Sequence, residues 1–228
     1  MKNQQPKEDL DRRADGSLDI VDIFRTIQGE GPFTGHPAVF IRLAGCVLRC
    51  PGCDTDYTSV RERMTPETVI QEVERFRPTP LIVITGGEPL RQNLNTLVHI
   101  LIRTNHKVQI ETNGRLMDYQ LPFDDINFSV VCSPKGKVNP VLARRIKAYK
   151  YIIRAGDTDD KDGLPTSVLE NGERPDRPLK DSQSLVYIQP YDEHNEEKNK
   201  ANIQATIESS LKFGYIISLQ LHKIVGLA

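Results

Sequence analysis

The chain has four cysteines, and three of them fall in one short segment: Gly45-Cys46-Val47-Leu48-Arg49-Cys50-Pro51-Gly52-Cys53-Asp54-Thr55. A disulfide scaffold spreads an even set of cysteines along the chain, whereas clustered thiols in a reducing compartment point to a metal site or redox chemistry. A structural zinc takes four ligands. No fourth His or Cys stands at local spacing, so zinc would have to recruit a distant His36 or His99. A cubane iron–sulfur cluster normally takes four cysteines, one per iron. Three leave one iron open to a substrate or cofactor. Cys132 lies far along the chain and reads as a small buried residue, since a fourth ligand would close that open iron. Gly45 and Gly52 let the loop wrap closely around a bulky group. Arg42, in the otherwise apolar run Phe40-Ile41-Arg42-Leu43, is a strand-borne cation beside the loop. It could hold an anionic ligand or pair with a core acid. Thr55 could be a ligand hydroxyl or a plain turn residue.

These residues need elements to position them. Short β-branched runs predict strands at Ile20–Phe24, Ala38–Leu43, Leu81–Thr85, Val108–Glu111, Phe128–Cys132, Tyr149–Ile153, Leu185–Gln189 and Tyr215–Leu219. Thr65-Pro66 opens a helix carrying Val69, Val73 and Phe76; Leu94, Leu97, Val98, Leu101 and Ile102 form a second apolar stripe, and Ile203, Ile207 and Leu211 a third. A shorter helix is expected over Asn139–Ala148. Strands alternating with helices imply βαβ units and a mostly parallel sheet. Too few helices are present for eight full units, so the expected fold is α/β, a reduced and partly open barrel. Each motif then sits where a strand ends, the end at which such barrels gather their site residues.

At ~150 residues per domain, 228 residues predict a single domain over 20–228. Residues 1–19 read as a disordered or loosely ordered tail, and the polar segment near 155–184 as a lid, a subunit contact or a mobile loop. A formal net charge of -1 excludes a wholly basic nucleic-acid surface. No apolar run approaches the ~20 residues of a membrane helix, and the charged N-terminus is not a signal peptide. The cytoplasm is the expected location.

The three-cysteine spacing after a strand resembles the radical S-adenosylmethionine enzymes. Thr85-Gly86-Gly87-Glu88-Pro89, also after a strand, resembles their Gly-Gly-Glu segment. Further motifs narrow the resemblance to the 7-carboxy-7-deazaguanine synthase family: Thr26-Ile27-Gln28-Gly29-Glu30-Gly31-Pro32, Cys53-Asp54-Thr55, Glu111-Thr112-Asn113-Gly114, Ser133-Pro134-Lys135, Ile188-Gln189-Pro190 and Gln220-Leu221-His222-Lys223. It runs from about Asp19 to the end. The resemblance implies a radical-SAM-type (β/α) barrel and a lyase that converts 6-carboxy-5,6,7,8-tetrahydropterin to 7-carboxy-7-deazaguanine with release of ammonia, in queuosine-type 7-deazapurine biosynthesis. Implied cofactors are a [4Fe-4S] cluster on Cys46, Cys50 and Cys53, S-adenosylmethionine, and Mg2+ on Thr55. Gly52, Asp54, Gly87, Ser133, Lys135, Gln189, Pro190, Tyr191 and Asp192 would line the S-adenosylmethionine site. Ile27, Gln28, Gly29, Glu30, Arg42, Thr85 and the C-terminal carboxylate of Ala228 would hold the pterin. Partners implied are this small molecule, an electron donor such as a flavodoxin, and a second copy of the chain. Two positions depart from the family: Val47 stands where Asn is usual, and Pro51-Gly52 where an aromatic would pack near the adenine. An activating enzyme of the same superfamily, acting on a glycine of a partner protein, would share the cysteines but lack Gln28-Gly29-Glu30-Gly31 beside Arg42. A non-enzymatic zinc domain is the third reading.

Overall fold

The β-branched runs become strands of one nine-stranded sheet in a computed structural model that describes residues 3–168 and 172–227. In chain order the strands are β1 (Leu18–Ile27), β2 (Pro37–Leu43), β3 (Glu62–Met64), β4 (Leu81–Gly86), β5 (Lys107–Thr112), β6 (Phe128–Cys132), β7 (Ala148–Ile153), β8 (Leu185–Pro190) and β9 (Ile216–Ile217). The helices are α1 (Pro66–Glu74), α2 (Asn95–Arg103), α3 (Pro140–Ala143), α4 (Glu196–Phe213) and α5 (Leu221–Ile224). The spatial order is β3-β1-β2-β4-β5-β6-β7-β8-β9. β1 runs antiparallel to β2 and β3, and every pair from β2 to β9 is parallel. Apart from β3, the strands from β2 onward follow chain order, as in a barrel, but β3 and β9 are left as edges and the barrel does not close. Parallel strands share one C-terminal edge, so the loops after β2, β4, β5, β6 and β8 meet there.

Strand alternation separates two faces. One carries the main core, including Ile41, Leu43, Ile84, Ile110, Tyr149 and Ile188, packed under α1 and α2 and, at β7 and β8, under α4. The other has an apolar floor of Ala38, Leu81, Val83, Val131, Ala148 and Tyr187. Towards the C-terminal edge that floor gives way to polar side chains. Arg42 of β2 lies beside Thr85 of β4 in register, Lys150 of β7 beside Tyr187 of β8, and Ile152 beside Gln189.

Thr65 caps α1 by accepting from Thr68 N at 3.3 Å, with Pro66 next. α4 forms as expected, but its Ile203, Ile207 and Leu211 stripe is exposed, at 44%, 36% and 82%. The buried face is Asn202, Thr206 and Ser209. The reason is polar: α4 lies over loops whose backbone groups need partners. Asn202 donates to Tyr191 O at 2.9 Å and accepts from Ala155 N at 2.8 Å, and Ser209 donates to Gly163 O at 2.8 Å. α3 covers Pro140–Ala143 instead of Asn139–Ala148, because Ala148 already begins β7.

The described part of the 155–184 segment is pinned: Tyr215 donates to Asp162 O at 2.8 Å and Tyr151 to Asp176 O at 2.6 Å. Where the sequence reading expects a solvated tail, residues 3–8 lie along the cysteine loop, with Glu8 N donating to Cys46 O at 2.8 Å, and residues 11–13 lie against the turn after β4, with Asp11 N donating to Arg91 O at 3.0 Å. Among the described residues no helix is long and apolar enough to cross a membrane.

Candidate active site

The loop after β2 holds Cys46 buried and Cys50 and Cys53 half-buried. Two amide donors face the first sulfur, Leu48 N at 3.4 Å and Asn113 Nδ2 at 4.0 Å. Burial pushes the Cys46 thiol up to about 12 and raises Cys50 and Cys53 as well; the positive charges of Lys135 and Arg115 oppose the rise at Cys50. The three are thus neutral thiols that need a bound positive centre to ionise. Among the described residues no three His, Cys, Asp or Glu side chains converge on a single-ion site. Three thiols on an open loop, amide donors on the inner sulfur and cations at the rim fit an iron–sulfur cluster. Cys132 is fully buried in the core.

The loop after β4 holds the cysteine loop in place. Gly86 has φ 127°, and a Cβ there would meet Leu43 O at 2.1 Å; one on Gly87 would meet Gly45 O at 2.1 Å and Cys46 Cβ at 3.0 Å. Two backbones therefore touch where no side chain fits, joined by Gly87 N to Leu43 O at 3.1 Å and Glu88 N to Gly45 O at 3.0 Å. Glu88 is fully buried, and burial raises its pKa. Its carboxylate accepts from Leu90 N at 3.0 Å, Thr112 Oγ1 at 2.7 Å and Asn113 N at 2.8 Å. The side chain clasps the loops after β4 and β5 together, and the Glu88 backbone N ties them to the loop after β2.

Ser133 and Lys135 follow β6 and are bound through their backbones to Thr112 O at 2.8 Å and Asn113 O at 3.3 Å. Burial lowers the Lys135 pKa, while the thiolate forms of Cys50 and Cys53 and the Asp54 carboxylate favour its charge. Gly52 is half-buried and Asp54 exposed; Thr55 Oγ1 donates to Asp54 Oδ1 at 3.2 Å. Gln189 is 6% exposed, and its buried Oε1 has no partner. Pro190 ends β8, and the Arg154 guanidinium lies 6.0 Å above the Tyr191 ring. Asp192 is engaged by His194 N at 2.9 Å, Asn199 Nδ2 at 2.9 Å and Lys223 Nζ at 3.4 Å, and the His194 and Asn199 bonds lower its pKa to about 2.

The polar upper row of the second face gathers the other set. Ile27 ends β1 opposite Pro37. Gln28 donates to Glu111 Oε1 at 2.8 Å and accepts from Glu30 N at 3.1 Å. Glu30 is ion-paired with Lys150 and accepts from Gln220 at 2.9 Å. Burial works to raise its pKa, but the Lys150 charge and these bonds prevail and hold it at about 2. Gly29 lies under α5: a Cβ there would stand 2.0 Å from His222 Nδ1. Arg42 has its Cζ 5.2 Å over the Phe24 ring, a buried Nε without a partner, and no carboxylate partner among the described residues. Ala228 lies outside the described residues. Sequence reasoning assigned no role to Glu111, Lys150, Gln220 or His222, which the fold brings to this set. The available signal was a lysine inside the apolar β7 and a glutamate near the end of β5.

The Radical SAM superfamily model matches residues 40–127. A 7-carboxy-7-deazaguanine synthase of Rhodospirillum rubrum is 42% identical over 221 residues, 93% of each chain. That of Rickettsia prowazekii is 32% identical, over 100% of this chain and 96% of its own. The crystal structure of QueE from Escherichia coli shares the fold, with TM-score 0.70 and 24% identity, over 90% of this chain and 95% of that one. Full-length similarity of this degree, on a chain with three loop cysteines and an open parallel sheet, makes this protein a member of the 7-carboxy-7-deazaguanine synthases within the radical S-adenosylmethionine enzymes.

Proposed function

We propose that the chain contracts the ring of 6-carboxy-5,6,7,8-tetrahydropterin to 7-carboxy-7-deazaguanine, releasing ammonia. The conversion balances with ammonia as the only other product, so it needs no net oxidant. The observation that carries this reading is the meeting, at one sheet edge, of the three-thiol loop with the row Gln28, Glu30, Arg42, Thr85 and Lys150.

The bound cluster and S-adenosylmethionine would supply the carbon radical that starts the rearrangement. The chain's own residues bind and orient. Gly52, Asp54, Gly87, Ser133, Lys135, Gln189, Pro190, Tyr191 and Asp192 form the S-adenosylmethionine site, and the unpartnered Gln189 Oε1 is an acceptor awaiting a donor. Arg42, over the Phe24 ring and free of any acid among the described residues, suits the substrate carboxylate. The ionised Glu30 and the Gln28 amide read the pterin's donor and acceptor edge, Thr85 adds a hydroxyl, and Ile27, Gly29 and Ala228 complete the site. Thr55 with the exposed Asp54 offers a hard oxygen pair for Mg2+, with the remaining positions left to water and substrate.

An electron donor such as a flavodoxin would approach at the cleft beside Cys50, which is lined by both signs of charge: Arg115, Lys137, Arg174 and Arg177 with Glu173 and Asp176, Arg115 being paired with Glu173. Homodimer formation is supported by exposed Ile203, Ile207 and Leu211 of α4 beside Ile216 and Ile217 of edge strand β9. The enzyme works in the reducing cytoplasm. The test is anaerobic reconstitution with iron and sulfide, followed by turnover of the carboxytetrahydropterin with mass detection. A brown protein and the deazapurine product are expected. A colourless zinc protein, or a loaded protein that leaves the pterin intact, overturns the reading.

A further inference from the structure

The cysteine loop contains no regular helix or strand between β2 and β3, so its backbone groups must find partners elsewhere. Within the loop the partners include Gly45 N to Tyr57 O at 2.9 Å, Leu48 N to Cys46 Sγ at 3.4 Å, Cys53 N to Cys50 O at 3.2 Å, Tyr57 OH to Leu48 O at 3.4 Å, and Thr58 N and Ser59 N to Asp56 Oδ1 at 3.0 Å. The N-terminal segment supplies many of the rest. Glu8 N donates to Cys46 O at 2.8 Å, Asn3 N to Pro51 O at 3.1 Å and Asn3 Nδ2 to Cys50 O at 3.1 Å. Gln5 makes a two-way bond, donating from Nε2 to Thr55 O at 2.9 Å and accepting at Oε1 from Tyr57 N at 2.7 Å. Two of the three loop cysteines thus have their carbonyls held by this segment. The third, Cys53, directs its thiol at the same Thr55 O, 3.7 Å away, that Gln5 holds.

The segment is itself anchored. The Glu8 carboxylate bridges Arg61 at 2.6 Å and the buried Arg91 at 2.7 Å, and it passes where a Cβ on Gly45 would stand 2.8 Å from it. Asp11 N donates to Arg91 O at 3.0 Å, and Arg12 donates to Leu90 O at 2.9 Å and Met117 O at 2.7 Å. We infer that residues 3–13 are a strap that holds the cysteine loop in its cluster-receiving shape, with Asn3, Gln5 and Glu8 as positioning residues. The strap explains how a loop with Pro51-Gly52, and no aromatic anchor before its third cysteine, keeps three thiols in place.

The inference rests on the iron–sulfur reading of the loop, and the experiment separates the two. Parent, Asn3→Ala/Gln5→Ala and Gln5→Glu proteins are reconstituted side by side under anaerobic conditions. Iron per chain, bleaching of the cluster's visible absorbance by EDTA, and thermal unfolding of the cluster-free chains are then measured. The double variant loses three hydrogen bonds to the loop backbone, at Cys50 O, Thr55 O and Tyr57 N, and should bleach at least about tenfold faster than the parent. Gln5→Glu should also bleach faster, because a carboxylate accepts from Tyr57 N but cannot donate to Thr55 O. Unfolding midpoints of the cluster-free variants should stay close to the parent's, which a merely structural role would not allow. Loaded variants that bleach at the parent rate overturn the strap alone, as does faster bleaching matched by a general loss of fold. A parent that takes up no iron overturns the cluster reading and the strap together.

Discussion

Arg42 and Lys150 bring positive charge onto a sheet face floored by apolar side chains, and they are held differently. Arg42 lies over an aromatic ring with its Nε unpaired; Lys150 is paired with Glu30. Replacing Arg42 by Lys keeps the charge and loses the planar fork. Turnover should fall by at least tenfold, roughly the worth of one charge-assisted bond, while uncoupled cleavage of S-adenosylmethionine persists. Unchanged turnover would make Arg42 a packing residue. Lys150→Met tests the pair through pH. In the parent, Glu30 sits at about 2 against an ordinary 4.5. Its contribution to stability is complete above about 4.5 and is lost as pH falls towards 2. Without Lys150, burial dominates and the Glu30 carboxyl titrates above its ordinary value. The cluster-free variant should lose about 3 kcal/mol at pH ~7 and regain part of it on acidification to pH ~5, where the parent gains nothing from this group. Urea unfolding at the two pH values reads the difference, and parallel behaviour of the two proteins would refute the pair's role.

At the scale of elements, the loops after β2, β4 and β5 act as one unit because their backbones touch and Glu88 ties them. Gly87→Ala places a Cβ 2.1 Å from Gly45 O and 3.0 Å from Cys46 Cβ, and neither atom can swing aside. The variant should fold but hold less than half the parent's iron, at a stability cost of about 1–3 kcal/mol; full iron loading would show that the contact yields. The sequence made this unit partly legible. Strands ending in glycine, cysteine and Asn-Gly motifs are local signals, and so the site edge could be placed from Cys46, Gly87 and Asn113. What could not be read is carried by long-range pairing. Nothing local marks Lys150 as the partner of Glu30, 120 residues away. Nothing in the α4 stripe tells that Asn202 and Ser209 will face inward, because the loops they satisfy are set by tertiary contacts. β3, three residues long, forms only because β1 offers it an edge.

For the whole molecule, the two ends of the chain complete the same sheet edge from opposite sides. The N-terminal segment lies along the cysteine loop, and α5 closes over the 27–30 turn, where Leu221 N donates to Gly29 O at 3.0 Å, Gln220 holds Glu30 and Lys223 reaches Asp192. β1 and the C-terminal segment, remote in sequence, thereby share one wall of the proposed pterin site. Gly29 makes this closure possible: a Cβ there would stand 2.0 Å from His222 Nδ1 and 2.9 Å from His222 N. Gly29→Ala tests the closure by a clash, since Gly29 is not among the residues held at positive φ and alanine can adopt its backbone. Iron content and S-adenosylmethionine cleavage should match the parent. KM for the pterin should rise about tenfold, the scale of one or two lost hydrogen bonds at the wall, and protease should reach the C-terminal segment sooner. His222→Ala in the Gly29→Ala background removes the nearer of the two clashing groups, so part of the affinity should return, a coupling that independent sites would not show. An unaltered KM in Gly29→Ala would mean that the wall can open without disturbing the substrate, and α5 would then be packing and no part of the site.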